Sequence, residues 1–173
     1  AKTMADGGLI NGRHLEFDYC GDSTVYGATV GDLATQNPYN APASFAKGLN
    51  LLYNIFPVVN NLGISGTTMQ QFLEGTDGSG TTYEWKLQNR PNTDVVLCNH
   101  CINDSQLNND IHQYRLNVIK FVTLTRQYNK VPVLVTPNIN PPIAIIDMVK
   151  SKRLDMYVKV IREVANSLNV DLV

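Results

Sequence analysis

The sequence has almost no excess charge of either sign and no long apolar run. Its 173 residues carry 14 basic and 15 acidic side chains, for a formal net charge of −1. A protein that neutralises many phosphates needs a surplus of lysine and arginine, so the balance argues against a nucleic-acid partner. No apolar stretch approaches the roughly 20 residues that a membrane-spanning helix needs, and we expect no membrane partner.

Export signals are also missing, because residues 1–13 lack the apolar centre of a secretory signal. A mature chain would already have lost such a signal. The sequence therefore does not determine where the protein is located. Three alternatives remain: a soluble protein, a secreted protein, and a component of an extracellular assembly.

Cysteines are few and odd in number: Cys20, Cys98 and Cys101. Three cysteines do not make a disulfide framework. Cys98 and Cys101 form a Cys-x-x-Cys pair, but a structural zinc site needs a second ligand pair, and none occurs at suitable spacing. We therefore expect buried free thiols and no metal site.

The composition is that of one globular domain. Apolar residues make up 43% of the chain and charged residues 17%, which favours a folded core over disorder. The length fits a single domain. Residues 1–14 are rich in glycine and lack apolar periodicity, which predicts a leader or linker, with the domain itself spanning residues 15–173.

Short apolar runs alternate with longer amphipathic segments along the domain. The short runs predict five strands, at residues 15–20, 56–60, 94–98, 131–136 and 170–173. The amphipathic segments predict helices over 45–56, capped by Ser44, and over 111–125 and 154–168. Segment 75–91, with the only tryptophan, predicts a surface excursion. This alternation predicts a five-stranded parallel sheet inside a three-layer α/β/α domain.

Polar residues follow each of the first three predicted strands. They are Gly-Asp-Ser-Thr at 21–24, a glycine-containing turn at 61–68 and Asn-His-Cys-Ile-Asn-Asp at 99–104. Ligands of open parallel sheets bind at the carboxyl ends of the strands, so we expect these three segments to converge on one edge.

This arrangement resembles the SGNH hydrolases, also called GDSL-type esterases and lipases. Gly-Asp-Ser alone is an ordinary turn sequence, and only the conjunction of three blocks in order carries the resemblance. The matching residues are Gly21, Asp22 and Ser23 in the first block, Gly66 in the second, and Asn103 and Asp104 in the third. The resemblance spans residues 15–173 and implies a flavodoxin-like fold.

The resemblance implies a role for each matching residue. Ser23 would be the nucleophile, and the oxyanion hole would consist of its own N–H, the N–H of Gly66 and the side-chain amide of Asn103. Donors fixed where the negative charge develops suit this chemistry, and no cofactor is needed. Asp22 and Asp104 are expected to brace loops by accepting backbone N–H bonds.

Two departures separate this sequence from the family pattern. Cys101 stands where the third block normally has glycine, so the turn must tolerate a side chain or follow another path. The fourth block, Asp-x-x-His after the fifth strand, is absent from the sequence. We therefore expect a domain incomplete at its C-terminus, with the catalytic Asp and His in a missing segment or a second polypeptide. Of the three histidines, only His100 lies near enough in sequence to substitute; His112 is expected to be solvated and His14 structural or idle.

Three functions are compared. The first is a serine ester hydrolase that cleaves a carboxylic ester of a small molecule or a carbohydrate, with a small acyl group on a carbohydrate favoured. The second is a catalytically incompetent binding or structural module of the same fold. The third, a nucleotide-binding or receiver domain, is disfavoured because Gly-x-Gly-x-x-Gly, a phosphate-loop lysine and an acidic cluster are all missing after the first strand.

Overall fold

The fold is built on a central parallel sheet with helices on both faces. The computed structural model of the protein describes residues 9–10, 12–29, 32–137 and 145–173. The strands in this part of the chain are β1 (Leu9–Ile10), β2 (Arg13–His14), β3 (Glu16–Gly21), β4 (Ala28–Thr29), β5 (Asp32–Gln36), β6 (Val58–Gly63), β7 (Val95–Cys98), β8 (Val131–Leu134) and β9 (Asp171–Leu172). The helices are α1 (Ser23–Tyr26), α2 (Ala41–Tyr53), α3 (Met69–Glu74), α4 (Tyr83–Gln88), α5 (Ile102–Gln106), α6 (Ile111–Gln127) and α7 (Ile145–Leu168).

Five of these strands form the main sheet in the order β6-β3-β7-β8-β9. Every neighbouring pair is parallel, which confirms the predicted five-stranded parallel sheet and the α/β fold class. β3 lies between β6 and β7, with Gly21 opposite Gly63 and Cys20 opposite Cys98. The carboxyl ends of these three strands therefore lie level at one edge.

Three boundaries differ from the prediction around α2: the start of the helix, its end and the start of β6. The helix is capped by Asn40, whose Oδ1 accepts a hydrogen bond of 3.0 Å from the N–H of Ala43, so the predicted cap at Ser44 is wrong. Asn54, in the left-handed region at φ 53°, ends the helix before Phe56. β6 then begins at Val58, because the preceding Pro57 has no N–H to donate to the sheet.

Segment 75–91, predicted to be a surface excursion, contains a helix that contributes to the core. Thr82 caps α4, and Tyr83 and Leu87 are buried. The Tyr83 hydroxyl lies 2.6 Å from the Thr125 hydroxyl on α6. The prediction was wrong here because a helix of six residues is too short to give an apolar periodicity.

The predicted leader falls partly within the structure. Residues 1–8 and 11 lie outside the described residues. β1 and β2 pair antiparallel, with Leu9 opposite His14. Arg13 donates two hydrogen bonds, of 2.8 and 2.7 Å, to the carboxylate of Asp94. The described end of the predicted leader is therefore bonded to the start of β7.

The core lies on both faces of the sheet because side chains alternate along each strand. Phe17 and Tyr19 of β3 point to the face covered by α2, where Phe45 packs edge-on against Phe17 at 5.2 Å between ring centroids. The opposite face carries the larger cluster, formed with residues of α3, α4, α6 and α7. No helix in the described ranges is long and apolar enough to cross a membrane.

One buried carboxylate organises the end of the sheet opposite the predicted site. Asp18 of β3 is only 3% exposed. It accepts hydrogen bonds of 2.7 and 2.8 Å from Arg90, 3.0 Å from Thr93 and 2.9 Å from Asn60. These bonds compensate for the cost of burying the charge and join β3, β6 and the segment before β7.

Two glycines allow α1 to approach the ends of β3 and β6. A Cβ built on Gly63 would lie 2.3 Å from the backbone nitrogen of Tyr26, and one on Gly21 would lie 2.4 Å from the Val25 side chain. Only glycine permits this packing, because a Cβ at either position would collide with the helix. The position of α1, which begins with Ser23, therefore depends on the absence of these two side chains.

Removing the charge of the buried carboxylate is expected to destabilise the fold. Asp18→Asn leaves Arg90 beside a neutral amide and should lower the free energy of unfolding by about 3 kcal/mol, measured by urea denaturation. Glu163→Gln is the matched control, because Glu163 pairs with Arg115 on the surface and its loss should change the midpoint little. Equal effects of the two substitutions would contradict the account.

Filling the space under α1 is expected to push the helix away. Gly63→Ala should lower the free energy of unfolding by about 1–3 kcal/mol, because the new methyl group meets backbone atoms that cannot move independently. Gly48→Ala, inside α2 and with no atom within 4 Å of the built Cβ, should instead stabilise the protein by about 0.5–1 kcal/mol. A stabilising Gly63→Ala would refute the close approach.

Candidate active site

The three predicted site residues lie just beyond the ends of three adjacent strands. Ser23 opens α1 directly after β3, Gly66 lies in the turn after β6, and Asn103 is the second residue of α5, after β7. The structure therefore brings their three segments to one edge of the sheet, as the sequence predicts. Gly66 and Asn103 are further linked, because Nδ2 of Asn103 donates a 2.9 Å hydrogen bond to the carbonyl of Thr67.

Ser23 is held at the start of a helix of only four residues. Asp22 caps the helix, with its Oδ1 accepting a 3.0 Å hydrogen bond from the N–H of Thr24. The chain leaves the helix at Gly27, at φ 84°. The first N–H groups of a helix have no partner within it, so this position suits a serine whose own N–H must serve as a donor. Ser23 is half-buried.

Position 66 favours glycine because of its backbone conformation, and not because a side chain would collide with neighbouring atoms. Its φ is 78°, in the left-handed region that side chains rarely adopt, while a Cβ built there would meet nothing within 4 Å. The residue is exposed, so its backbone faces outward at the sheet edge. The preceding turn is fixed by the Thr67 hydroxyl, which donates a 2.7 Å bond to the carbonyl of Ile64.

Asn103 retains hydrogen-bonding capacity after its contact with the glycine turn. A carboxamide has two N–H donors, and the bond to Thr67 uses one of them. The adjacent Asp104 is 1% exposed and accepts a 3.0 Å hydrogen bond from the N–H of Met69 at the start of α3. Burial raises the pKa of Asp104 to about 6.

The expectation that Asp22 and Asp104 brace loops is confirmed, since each accepts a backbone N–H. Asp22 is fully buried, and within the described part of the chain its Oδ2 has no hydrogen-bond partner. Burial raises the pKa of this carboxyl above its usual value, against the lowering effect of its bonds from Thr24. Both carboxyls are buried from solvent.

The turn after β7 accommodates a side chain where the family pattern has glycine. Cys101 has an extended φ of −166° and is fully buried. The backbone nearby is held by the Tyr114 hydroxyl, which donates a 2.8 Å bond to the carbonyl of His100. Cys101 therefore fits without requiring positive φ.

All three thiols are buried and free. Burial raises the pKa values of Cys98 and Cys101 to about 12, so both remain protonated at neutral pH and lack the thiolate character of a metal ligand or nucleophile. Across the described ranges, no group of three or more histidine, cysteine or acidic side chains is arranged to hold a metal ion.

The histidine nearest in sequence does not serve Ser23. His100 is 3% exposed, with Nε2 3.3 Å from the Thr67 hydroxyl and Nδ1 3.7 Å from the Cys98 sulfur. Its ring stacks on Phe72, and burial lowers its pKa to about 3. The hypothesis that His100 substitutes as the base is therefore wrong, because its nitrogens face other partners. His112 is exposed, as expected.

Sequence reasoning missed two polar residues that connect the site segments. The Thr24 hydroxyl donates a 2.8 Å hydrogen bond to Oδ1 of Asn99, and Nδ2 of Asn99 donates a 3.3 Å bond to the carbonyl of Thr136. The available signal was their position, since each residue lies just after a strand. Nothing in the residue types showed that they contact each other.

Comparison with known folds finds many related structures. One is an α/β hydrolase enzyme from the metagenome of Lake Arreo, Spain (TM-score 0.65, 21% identity, covering 92% of this chain and 76% of that chain). Another is an acetyl xylan esterase from Geobacillus stearothermophilus (TM-score 0.66, 20% identity, 92% and 75%). A third is a psychrotrophic esterase from Pseudoalteromonas sp., inhibited by monoethylphosphonate (TM-score 0.64, 17% identity, 91% and 75%). At these identities the likeness shows the fold.

Family membership comes from the sequence itself. A comparison with curated protein sequences finds no significant match. The model of the GDSL-like lipase/acylhydrolase family, in contrast, matches residues 19–173 and so includes the ends of β3, β6 and β7 with the three predicted site residues. The chain therefore belongs to the GDSL-like lipase/acylhydrolase family.

Proposed function

We propose that the protein is a serine ester hydrolase that acts through an acyl-serine intermediate. The observation that carries the proposal is the hydrogen bond from the Asn103 carboxamide to the carbonyl of Thr67. This bond fixes a neutral donor beside the Gly66 turn, next to the strand end that carries Ser23. A hydroxyl and donors from three adjacent strands are what acyl transfer needs.

In the first step, the Ser23 hydroxyl attacks the ester carbonyl carbon and loses its proton to a base. The carbonyl oxygen becomes an oxyanion, which accepts hydrogen bonds from the N–H groups of Ser23 and Gly66 and from Nδ2 of Asn103. Each such donor is worth about 10²- to 10³-fold in rate, because it is already oriented where the charge develops. Collapse of the intermediate breaks the ester bond, and the protonated base gives the proton to the leaving oxygen, which departs as the alcohol.

In the second step, water attacks the acyl-serine carbonyl, and the same donors stabilise the second oxyanion. The base takes a proton from this water, the bond between the acyl carbon and the Ser23 oxygen breaks, and the base then protonates the Ser23 oxygen as the acid is released. Both steps need a general base, which typically contributes about 10²- to 10⁴-fold. We propose that a group other than His100 supplies this base, because the ring nitrogens of His100 face Thr67 and Cys98.

We further propose a small acyl group on a carbohydrate as the substrate. Gly66 is exposed and Ser23 is half-buried at the carboxyl edge of the sheet, and this accessibility suits a polar, bulky alcohol with a small acyl group. The fold shared with an acetyl xylan esterase is consistent with this class.

The alternative is a binding module that holds an ester without cleaving it. The observation in its favour is the environment of His100, whose ring nitrogens contact Thr67 and Cys98 instead of Ser23. In the part of the chain described, none of the hydrogen bonds to Ser23 comes from a histidine. Labelling and turnover separate the two functions.

Covalent labelling tests the nucleophile. A fluorophosphonate should modify Ser23, located by peptide mass spectrometry, and Ser23→Ala should abolish the modification. Asn103→Ala should slow labelling about 10²- to 10³-fold by removing an oxyanion donor. Asn89→Ala, which removes a surface carboxamide that donates to the carbonyl of Trp85, is the matched control and should label at the wild-type rate. Labelling of another residue would refute the role of Ser23.

Product analysis tests the substrate class. The protein incubated with acetylated xylo-oligosaccharides should release acetate, measured by an enzyme-coupled assay, and Ser23→Ala should release none. Aryl esters of long-chain acids should react more slowly, because the proposed substrate carries a small acyl group. Binding of the oligosaccharide by calorimetry without acetate release, and without labelling of Ser23, would support the binding module instead.

A further inference from the structure

We propose that Thr24 and Asn99 are positioning residues that hold the helix carrying Ser23 in register with the turn that leads to Asn103. The inference rests on the proposed hydrolase function and deepens it. It assigns a role in acyl transfer to two side chains that do not belong to the Gly-Asp-Ser, glycine or Asn-Asp blocks.

Asn99 is fixed at both ends of its carboxamide. Its Oδ1 accepts the 2.8 Å hydrogen bond from Thr24, and its Nδ2 donates to the carbonyl of Thr136. Thr136 is in turn bonded to the end of β9, through N–H and hydroxyl bonds of 2.7 and 3.1 Å to the carbonyl of Val173. Asn99 is buried, with 6% exposure. Through Thr136 it is bonded to the ends of β8 and β9, the two strands of the sheet that lie farthest from Ser23 on this side.

The Thr24 hydroxyl connects Asn99 to Asp22, the residue that caps α1. This hydroxyl lies 2.9 Å from Oδ1 of Asp22, the same atom that accepts the Thr24 N–H. Because Nδ2 of Asn99 faces Thr136, the oxygen of that carboxamide must face Thr24. The hydroxyl therefore lies between two acceptors, one on the loop of Ser23 and one on the loop of Asn103.

Hydrogen bonds connect each pair of the three site segments, and the bond between Thr24 and Asn99 is one of these connections. Asn61 of β6 donates bonds of 3.0 and 3.3 Å to the carbonyls of Val25 and Tyr26, which ties α1 to β6. Asn103 ties the turn after β6 to α5. The bond between Thr24 and Asn99 supplies the third tie, from α1 to the loop after β7.

This third tie sets the separation between the nucleophile and the carboxamide donor. A misplacement of about 1 Å in an active site costs on the order of 10²-fold in rate. Loss of the Thr24 hydroxyl removes the hydrogen bond between α1 and the loop after β7, while the cap from Asp22 to the Thr24 N–H remains. We therefore expect the chemical step to slow with little change in folding.

The test is the rate of fluorophosphonate labelling of Ser23 as a function of reagent concentration, which separates the inactivation rate constant from reagent binding. Thr24→Val, which keeps the shape but removes the hydroxyl, should lower the rate constant about 10- to 100-fold and leave reagent affinity within twofold. Thr24→Ser restores the hydroxyl and should recover most of the rate. Thr76→Val, an exposed threonine in the turn after α3, is the control and should behave as wild type.

A second pair of variants tests the contact from its other end. Asn99→Ala removes the contact with Thr24 and also the bond to Thr136, so it should slow labelling at least as much as Thr24→Val does. The double variant should be no slower than Asn99→Ala, because the contact between Thr24 and Asn99 is already lost in each single variant. The melting temperature of Thr24→Val should remain close to wild type, whereas that of Asn99→Ala should fall, because this variant also loses the buried bond to Thr136. Additive losses of rate, or rate losses that follow the loss of folded protein, overturn the proposal.

The outcomes also separate this inference from the proposed function. If wild-type Ser23 is labelled and Thr24→Val is labelled equally fast, the positioning role is overturned and the hydrolase stands. If wild-type Ser23 is not labelled, the proposed hydrolase fails, and the positioning role is overturned with it.

Discussion

The in-register parallel pairing of β3 with both β6 and β7 is the constraint on which the site depends. Parallel strands end at the same edge, and here the register places Gly21 level with Gly63 and Cys20 level with Cys98. The three loops that follow leave the sheet side by side. A shift of one residue on either side of β3 would move a loop by more than 3 Å and separate the three predicted site residues.

Hydrogen bonds between the loops then fix the positions of the residues that follow the three strands. The Asn103 bond to Thr67 joins the carboxamide to the glycine turn, and the bond from the Met69 N–H to Asp104 makes a second connection, one residue after Asn103 and two residues after Thr67. Hydrogen bonds in a buried setting are strong and costly to lose, so they favour a single arrangement of the loops. Asp18, at the other end of β3, stabilises the strand without taking part in the site.

The sequence was sufficient for the sheet and the site segments because both depend on local patterns. Five apolar runs gave the strands, and Gly66 occupies the left-handed turn that glycine favours. The α4 helix was missed because its packing through Tyr83 depends on Thr125, which is distant in sequence. Likewise, the burial of His100 between Thr67, Cys98 and Phe72 and the contact of Thr24 with Asn99 arise only from the fold.

The central claim is that Ser23, Gly66 and Asn103 hold one nascent oxyanion. A crystal structure of the protein with a phosphonate bound to Ser23 tests it most directly, because the phosphonyl oxygen occupies the place of that oxyanion. The account predicts that this oxygen lies roughly 2.7–3.1 Å from the backbone nitrogens of Ser23 and Gly66 and from Nδ2 of Asn103. An oxygen directed toward solvent, beyond hydrogen-bond reach of Gly66 and Asn103, would contradict it.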